Sequence, residues 1–444
     1  MNREKASTHT PIRVVRIIDR LNIGGPAKHV TWLTSGLNPE EFETVLITGT
    51  VPSGEGDMGY FARAAGIKPV VIQEMSREVS LRDIVVILKL LYRFWKLKPQ
   101  IIHTHKAKAG AVGRIAGGIY KWATPSILWL RPRKCYLVHT YHGHIFHSYY
   151  GPLKTRFFIT IERILAGLFT DRIITLSQQQ LREISERFRV GKPEQFRIIP
   201  LGIDLNERVE TGSSLREELG VTGDKLLIGM VGRLCEVKNH TLLLEAIAQL
   251  PAKGVQAHFV VVGDGHLRGE LELLSSKLGI SDKVTFLGFR KDVLSLYSAF
   301  DLVVLTSLNE GTPLTLIEAL CYSRAIIATE VGGVVDLMGT RRELRNDFSI
   351  WDHGITVPDH NALRFARALK YLMEHPKLRH EMGERGHAFV KAKFSKDRLI
   401  GDVEELYREL INRPNVSSFE FNGSTSQAFL AETFNSESST GYGR

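Results

Sequence analysis

Cysteine is scarce. Cys135, Cys235 and Cys321 are scattered through 444 residues, so the chain shows neither a disulfide framework nor the paired spacing of a cysteine-held metal, and a reducing compartment suits it. Long apolar runs are missing too. The best candidate, DIVVILKLLYRFWKLK, is broken by Lys89 and Arg93 and does not read as a spanning helix. The first residues, MNREKASTHT, lack the apolar stretch of a secretory signal. The expectation is a cytoplasmic protein within reach of the inner membrane face. Neither zinc-finger spacing nor the aromatic signature of RNA-binding sheets accompanies the net charge of +10, so nucleic acid is not the expected partner. A P-loop is absent, and so is a dinucleotide fingerprint. VVGDGHLRG holds Gly263 and Gly265, but it follows an inner strand and no carboxylate at a clear later strand end takes the ribose role, which disfavours a dinucleotide oxidoreductase. No repeat of solenoid period is present.

What the chain does have is alternation. IRVVRII, FETVLIT, KPVVI, QIIHTH, YLVHTY, RIITL and RIIPL read as strands, with SLRDIVVILKLLYRFW, AGAVGRIAGGIY and TRFFITIERILAGLF as helices between them. Interleaving of this kind predicts a mainly parallel sheet covered on both faces. The pattern restarts with the strands LLIGMVG, AHFVVVG, KVTFLG, LVVLT and AIIATE, separated by HTLLLEAIAQL, LRGELELLSSKL, DVLSLYSAF and PLTLIEALCY. A single core seldom grows to this length, so two α/β domains are expected. The boundaries are a flexible N-terminus over 1–11, a first domain over 12–204, a linker over 205–224 with a short helix, a second domain over 225–395, a C-terminal helix over 396–413 and a disordered tail over 414–444. VGGVVDLMGTRRELRNDFSIWDHGITV reads as loop-rich, and helices return at NALRFARALKYLMEH and around Met382 to Lys391.

Between 77 and 163 the basic residues are mixed with Trp, Phe and Tyr. The mixture suits a lipid headgroup region, and it equally suits a wet surface rich in lysine and arginine.

EGTPLTLIE, Glu310 to Glu318, follows the strand LVVLT. Thr312 is placed to cap a helix whose first residue is Pro313. The N–H groups of Leu314, Thr315 and Leu316 then point into the crevice as an anion site. Glu310 sits on the loop and Glu318 about a turn and a half into the helix. A nucleotide-activated sugar has a diphosphate between two polyols, and carboxylates, which only accept hydrogen bonds, suit hydroxyl pairs. Glu318 is assigned to the ribose and Glu310 to the sugar. The plain alternative is a loop residue and a solvated helix residue, weakened by the Leu, Ile and Ala around Glu318. In GMVGRLCEVKNH, a strand ends in glycine, and Arg233 and Lys238 reach over a phosphate that Gly232 lets approach. A turn with two surface cations is the alternative. The helix is expected to begin near Lys238 or Asn239.

In RLNIGGPAKH, Gly24 and Gly25 turn into a helix and offer the Gly25 N–H from the opposite side. HTYHGHIFH holds His139, His142, His144 and His147, with no Cys, Asp or Glu in the stretch. It is read as His142 acting alone on the transferred sugar, with His144 and His147 shaping the acceptor side, and no metal is expected. HTHKAKAG, with His103, His105 and Lys108, forms a similar strand tip on the same crevice.

IGGPAKH, TYHGH, VGRLCEVKNH, VVGDGHLRGELE, LTSLNEGTPLTLIEALCYSRAIIATEVGG and GITVP, over roughly residues 12 to 405, together resemble the family 4 retaining glycosyltransferases of the GT-B fold, as found in bacterial surface-polysaccharide synthesis. The resemblance implies two Rossmann-like domains facing a central cleft, with the donor held mainly by the second. It implies Arg233 and Lys238 on the diphosphate, Glu318 on ribose, Glu310 and His142 at the donor sugar, backbone around Thr315 and Leu316 near the phosphates, and Leu287, Gly288 and Phe289 framing the base. It also implies retention of anomeric configuration, no metal or other cofactor, and a C-terminal helix crossing back to the first domain. The segment Val335 to His353 departs from the family's compact link. The donor is read as a UDP-sugar, with GDP left open, and the acceptor as a polyprenyl-diphosphate-linked or other glycan. Contact with an anionic membrane is peripheral, without a transmembrane span. The rival readings are a UDP-sugar 2-epimerase of similar fold and a nucleotide-sugar-binding protein without turnover.

Overall fold

The computed structural model describes residues 10–52, 56–76, 80–124, 132–142, 152–205, 213–221, 225–251 and 256–412. The expected tail over 414–444, most of the segment 1–11 and half of the segment 205–224 lie outside the described residues, as do His144 and His147.

In the first lobe the chain runs β1 (Ile12–Ile18), α1 (Gly25–Gly36), β2 (Phe42–Thr48), α2 (Gly59–Ala64), β3 (Val70–Val71), α3 (Arg82–Leu97), β4 (Ile101–His105), α4 (Ala107–Trp122), β5 (Tyr136–Thr140), α5 (Pro152–Phe169), β6 (Arg172–Thr175), α6 (Gln178–Arg182) and β7 (Phe196–Ile198). The sheet order is β3-β2-β1-β4-β5-β6-β7, all parallel. Helices cover both faces, so β4 is buried along its whole length. On one face α3 lays Val86, Leu90, Leu91 and Phe94 on a core that continues through α4. The expected strand RIIPL shifts upstream and ends before Pro200, because proline has no N–H for the ladder.

After α7 (Ser213–Glu218), the second lobe runs β8 (Leu226–Val231), α8 (His240–Ala248), β9 (Ala257–Val262), α9 (Arg268–Lys277), β10 (Val284–Gly288), α10 (Val293–Ala299), β11 (Leu302–Leu305), α11 (Leu314–Cys321), β12 (Ala325–Thr329), β13 (Arg341–Leu344), β14 (Ser349–Trp351), β15 (Gly354–Val357), α12 (Ala362–Glu374), α13 (Pro376–Lys393) and α14 (Lys396–Ile411). Its order is β10-β9-β8-β11-β12-β15-β14-β13. The first six repeat the doubly wound arrangement of the other lobe, giving an α/β GT-B architecture of two Rossmann-like sheets. β13 and β14 extend the sheet antiparallel. They correct the loop-rich expectation for this segment. Each strand has only three or four residues, and β13 is exposed throughout, so no apolar alternation marks it.

α14 leaves the second lobe and packs Leu399, Val403, Leu406, Tyr407 and Leu410 against Val14, Leu33 and Phe42 of the first. In each sheet the strand order reverses between its first and fourth strands, β1/β4 and β8/β11. Ligands of open α/β sheets bind beyond the carboxyl ends at such points.

Candidate functional site

On the second lobe two loops meet beside the switch point. The loop after β8 carries Gly232 and Arg233 and closes with a 3₁₀ turn, Glu236–Lys238. Asn239 caps α8, which begins at His240. The loop after β11 carries Ser307 to Thr312. Leu308 N–H donates to the Val237 carbonyl at 2.8 Å, and Thr306 Oγ1 donates to the Lys238 and Asn239 carbonyls at 3.1 and 2.9 Å. This stitching sets Lys238 Nζ 2.5 Å from Glu310 Oε1, which also accepts from Ser307 Oγ at 2.6 Å. Arg233 is exposed and makes no ion pair with a described residue, and its charge acts on Lys106 of the first lobe.

Gly263 and Gly265, which the sequence left without a role, support this loop. A Cβ on Gly263 would lie 1.9 Å from the Gly232 carbonyl oxygen, and one on Gly265 would lie 2.2 Å from that of Leu234. Gly263 has φ +134 besides. A Cβ on Gly232 meets nothing closer than 3.7 Å, so protein packing does not demand a glycine there.

The helix tip differs from expectation. α11 starts at Leu314, and extended Pro313 is its N-cap. Thr312 does not cap it, and the Thr312 and Thr315 hydroxyls are buried without a hydrogen-bond partner among the described residues. The Leu316 N–H is taken by the Pro313 carbonyl at 3.1 Å, and the Leu316 side chain lies in the core, so Leu316 is not an available donor. Leu314 and Thr315 come before any intrahelical acceptor and keep theirs.

Glu318 is 5% exposed, not solvated. Its Oε1 lies 2.5 Å from Lys28 Nζ of α1, across the cleft, and its Oε2 accepts from Tyr297 Oη at 2.9 Å. Gly25, the first residue of α1, faces Leu314, whose Cδ2 lies 3.6 Å from where a Cβ would be. Gly24, its N-cap, has φ +147. The two helix starts thus meet across the crevice. Leu287 and Gly288 close β10, and Phe289 beyond it is 43% exposed.

The first lobe contributes histidines from separate segments. His142, just past β5, has two other imidazoles beside it. Its Nε2 lies 2.9 Å from His105 Nδ1 at the end of β4, and its ring centroid 4.8 Å from that of His29 on α1. Both nitrogens of His103 are engaged at 2.7 Å, by Tyr407 Oη and Thr140 Oγ1, and His139 Nδ1 lies 2.9 Å from Thr104 Oγ1. Those two are framework. His29 Nδ1 and His105 Nε2 are buried without a partner among the described residues. Burial, reinforced by the charges of Arg16 and Arg398, lowers His29 to about 3. His103, His105, His139 and His142 are also held well below the usual imidazole range, chiefly by burial. The cluster is therefore neutral at pH 7. Among the described residues His29, His105 and His142 bring ligand atoms within 4.8 Å of one another, a spacing that could hold a metal ion. The charges acting on the three are those of Arg16, Arg398 and Lys106, a positive field that opposes a divalent cation.

Lys106 caps α4 with φ +63, a conformation uncommon outside glycine, and Asp19 lies 3.1 Å from its Nζ. Burial lowers the Lys106 pKa, Asp19 offsets part of that, and the nearby Arg20 and Arg233 lower it further. Lys108, expected at the crevice, pairs instead with Asp83 of α3. Sequence reasoning missed Lys28, His29, Lys106 and Tyr297. Lys28 and His29 stand inside the quoted GGPAKH, one turn into α1, so their position was available.

The family model for glycosyl transferases group 1 matches residues 213–389, and that for glycosyltransferase family 4 matches residues 23–207. The Escherichia coli UDP-Gal:alpha-D-GlcNAc-diphosphoundecaprenol alpha-1,3-galactosyltransferase is 26% identical over 343 residues, spanning 74% of this chain and 81% of that one. A Campylobacter jejuni N-acetylgalactosamine-N,N'-diacetylbacillosaminyl-diphospho-undecaprenol 4-alpha-N-acetylgalactosaminyltransferase is 29% identical over 254 residues, spanning 56% and 65% of the two chains. In fold, the chain is similar to Anabaena HepE, solved in complex with UDP-glucose, with a TM-score of 0.71 and 21% identity over 90% of this chain and 100% of that one.

Proposed function

The chain belongs to glycosyltransferase family 4, as a GT-B glycosyltransferase, and we propose that it transfers a sugar from a UDP-sugar, with retention, to a polyprenyl-diphosphate-linked glycan in surface-polysaccharide synthesis. One observation carries the site assignment. Buried Glu318 and loop residue Glu310 flank the tip of α11, and each is held by a lysine, Lys28 from the opposite lobe and Lys238 from the neighbouring loop.

Glu318 takes the ribose hydroxyls when they replace the Lys28 ammonium. The diphosphate lies against Arg233, Lys238 and the N–H groups of Leu314 and Thr315. An ammonium has three donors, so Lys238 serves the phosphate while keeping Glu310 in place. Glu310 and neutral His142 hold sugar hydroxyls. The acceptor oxygen bonds to the anomeric carbon on the face from which the β-phosphate oxygen departs, and its proton passes to that phosphate oxygen. The products are the extended glycan and UDP. Charge grows on the leaving phosphate, so fixed cations lower the barrier. They fill the part a metal takes elsewhere, and the reaction needs no resident metal or other cofactor. The diphosphoundecaprenol acceptors in the names of the Escherichia coli and Campylobacter jejuni relatives support a lipid-linked acceptor. The UDP-glucose complex of Anabaena HepE supports a UDP donor. Such an acceptor supports a position at the inner face of the membrane.

The test is transfer from a panel of UDP- and GDP-sugars to a polyprenyl-diphosphate sugar, with the product's anomeric coupling read by NMR. The expected outcome is a UDP-sugar consumed only with acceptor and a product of unchanged anomeric configuration. Inversion, a GDP-only donor, or epimerisation without acceptor contradicts the reading.

A further inference from the structure

The outer face of α3 is apolar where a water-facing helix should be polar. Leu81, just before it, is 87% exposed, Ile84 and Leu88 are each 60%, and Tyr92 and Trp95 are each 52%. With Val85 they recur at helical spacing and fall within about 100° of arc on a helix of 3.6 residues per turn. Along one edge of this stripe run Arg82, Lys89, Arg93 and Lys96, all exposed, with Lys89 paired to Glu74 at 2.6 Å. The helix carries one acidic residue, Asp83, which turns inward to Lys108. α5, in the same helical layer beyond α4, adds exposed Phe157, Ile164 and Leu168. No helix among the described residues is long and apolar enough to cross a membrane.

We propose that α3 lies in the plane of an anionic membrane, its apolar stripe in the headgroup–acyl boundary and its cationic edge on lipid phosphates. This deepens the lipid-linked acceptor reading and rests on it. Charge complementarity identifies the occupant. A protein partner is not expected to require four cations lining one edge of an apolar ridge, whereas an interfacial helix uses that arrangement. The placement also serves the chemistry. In a parallel α/β lobe the helices start at the carboxyl ends of the strands. The stripe therefore begins at the end of the lobe that faces the cleft, where Asp83 holds Lys108, two residues from Lys106. A glycan on a lipid carrier enters the cleft at the α3 start while its tail stays in the bilayer.

The test is co-sedimentation of the full chain with vesicles of phosphatidylcholine containing phosphatidylglycerol, and with phosphatidylcholine alone. The chain should pellet with the anionic vesicles, and Leu88→Glu with Trp95→Glu should lower the partition coefficient by about tenfold or more. Arg93→Glu with Lys96→Glu should do the same on anionic vesicles. Leu273→Glu, on exposed α9 of the other lobe, should leave binding unchanged. UDP titration of each variant reports fold and donor site, so loss of vesicle binding with normal UDP affinity isolates the membrane face. Failure to bind UDP in every form speaks against the donor reading instead. Three results overturn the proposal: no binding of the parent chain to anionic vesicles, equal binding of the Leu88→Glu/Trp95→Glu chain, or self-association through this face in place of vesicle binding.

Discussion

The second lobe places its cleft groups on two loops stitched to each other, those after β8 and β11, whereas the first lobe gathers His29, His105 and His142 from three segments far apart in sequence. The second lobe keeps charge in the cleft by pairing Lys238 with Glu310 and leaving Arg233 exposed. The first removes charge by burial, so its imidazoles stay neutral. A leaving pyrophosphate needs the first kind of environment, and hydroxyl recognition is served by the second. The lobes share a strand order but divide the electrostatic work, and they touch where Lys28 reaches Glu318.

The division can be broken most forcefully at Arg233. Arg233→Ala should cost about 3 kcal/mol of barrier, near a hundredfold in kcat, with little change in Tm, as measured by initial rates at saturating donor. If turnover stays normal, the charge in the second lobe is not catalytic. Next comes Glu318→Ala. It removes the carboxylate proposed to hold the ribose, so UDP affinity should fall at least tenfold, equivalent to about 1.4 kcal/mol, by isothermal titration. Stability should fall with it, because the mostly buried ion pair with Lys28 is lost.

The first lobe should announce itself through pH. His29 titrates near 3 in the folded chain, against an ordinary 6.5. Between those values the unfolded chain binds more protons, so its contribution is fully present above pH 6.5 and declines as the pH falls toward 3. Each such histidine contributes up to about 1.4 kcal/mol per pH unit. Urea unfolding at pH 7.5, 6.5 and 5.5 should show a steepening loss, and a flat profile would mean that the cluster is solvated. The smallest expected effect is that of EDTA, which should leave transfer rates unchanged. A rate restored by added divalent cation would give the histidine triad a metal role.

Both sheets were legible because buried parallel strands are short apolar runs, and IRVVRII and FETVLIT match β1 and β2 residue for residue. The antiparallel β13–β14 extension was not legible, since an exposed strand of arginine and glutamate carries no period. On the second lobe Glu310, Glu318, Arg233 and Lys238 could be read because turn glycines, a proline and charged residues sit within two short stretches. What could not be read there was a matter of one residue of helix phase, which moved the cap from Thr312 to Pro313 and took the Leu316 N–H out of use. The histidine cluster was half visible. Tertiary folding brings His29 to His142, and no local spacing announces a contact between residues more than a hundred positions apart.

The central claim is that the second lobe receives the departing pyrophosphate at the tip of α11. A crystal structure of the chain with UDP tests it directly. The account predicts the β-phosphate within hydrogen-bond reach of Arg233, Lys238 and the N–H groups of Leu314 and Thr315, the ribose on Glu318, and the Lys28 ammonium displaced. UDP bound elsewhere, or bound there with Lys28 still on Glu318 and both cations turned away, would contradict it.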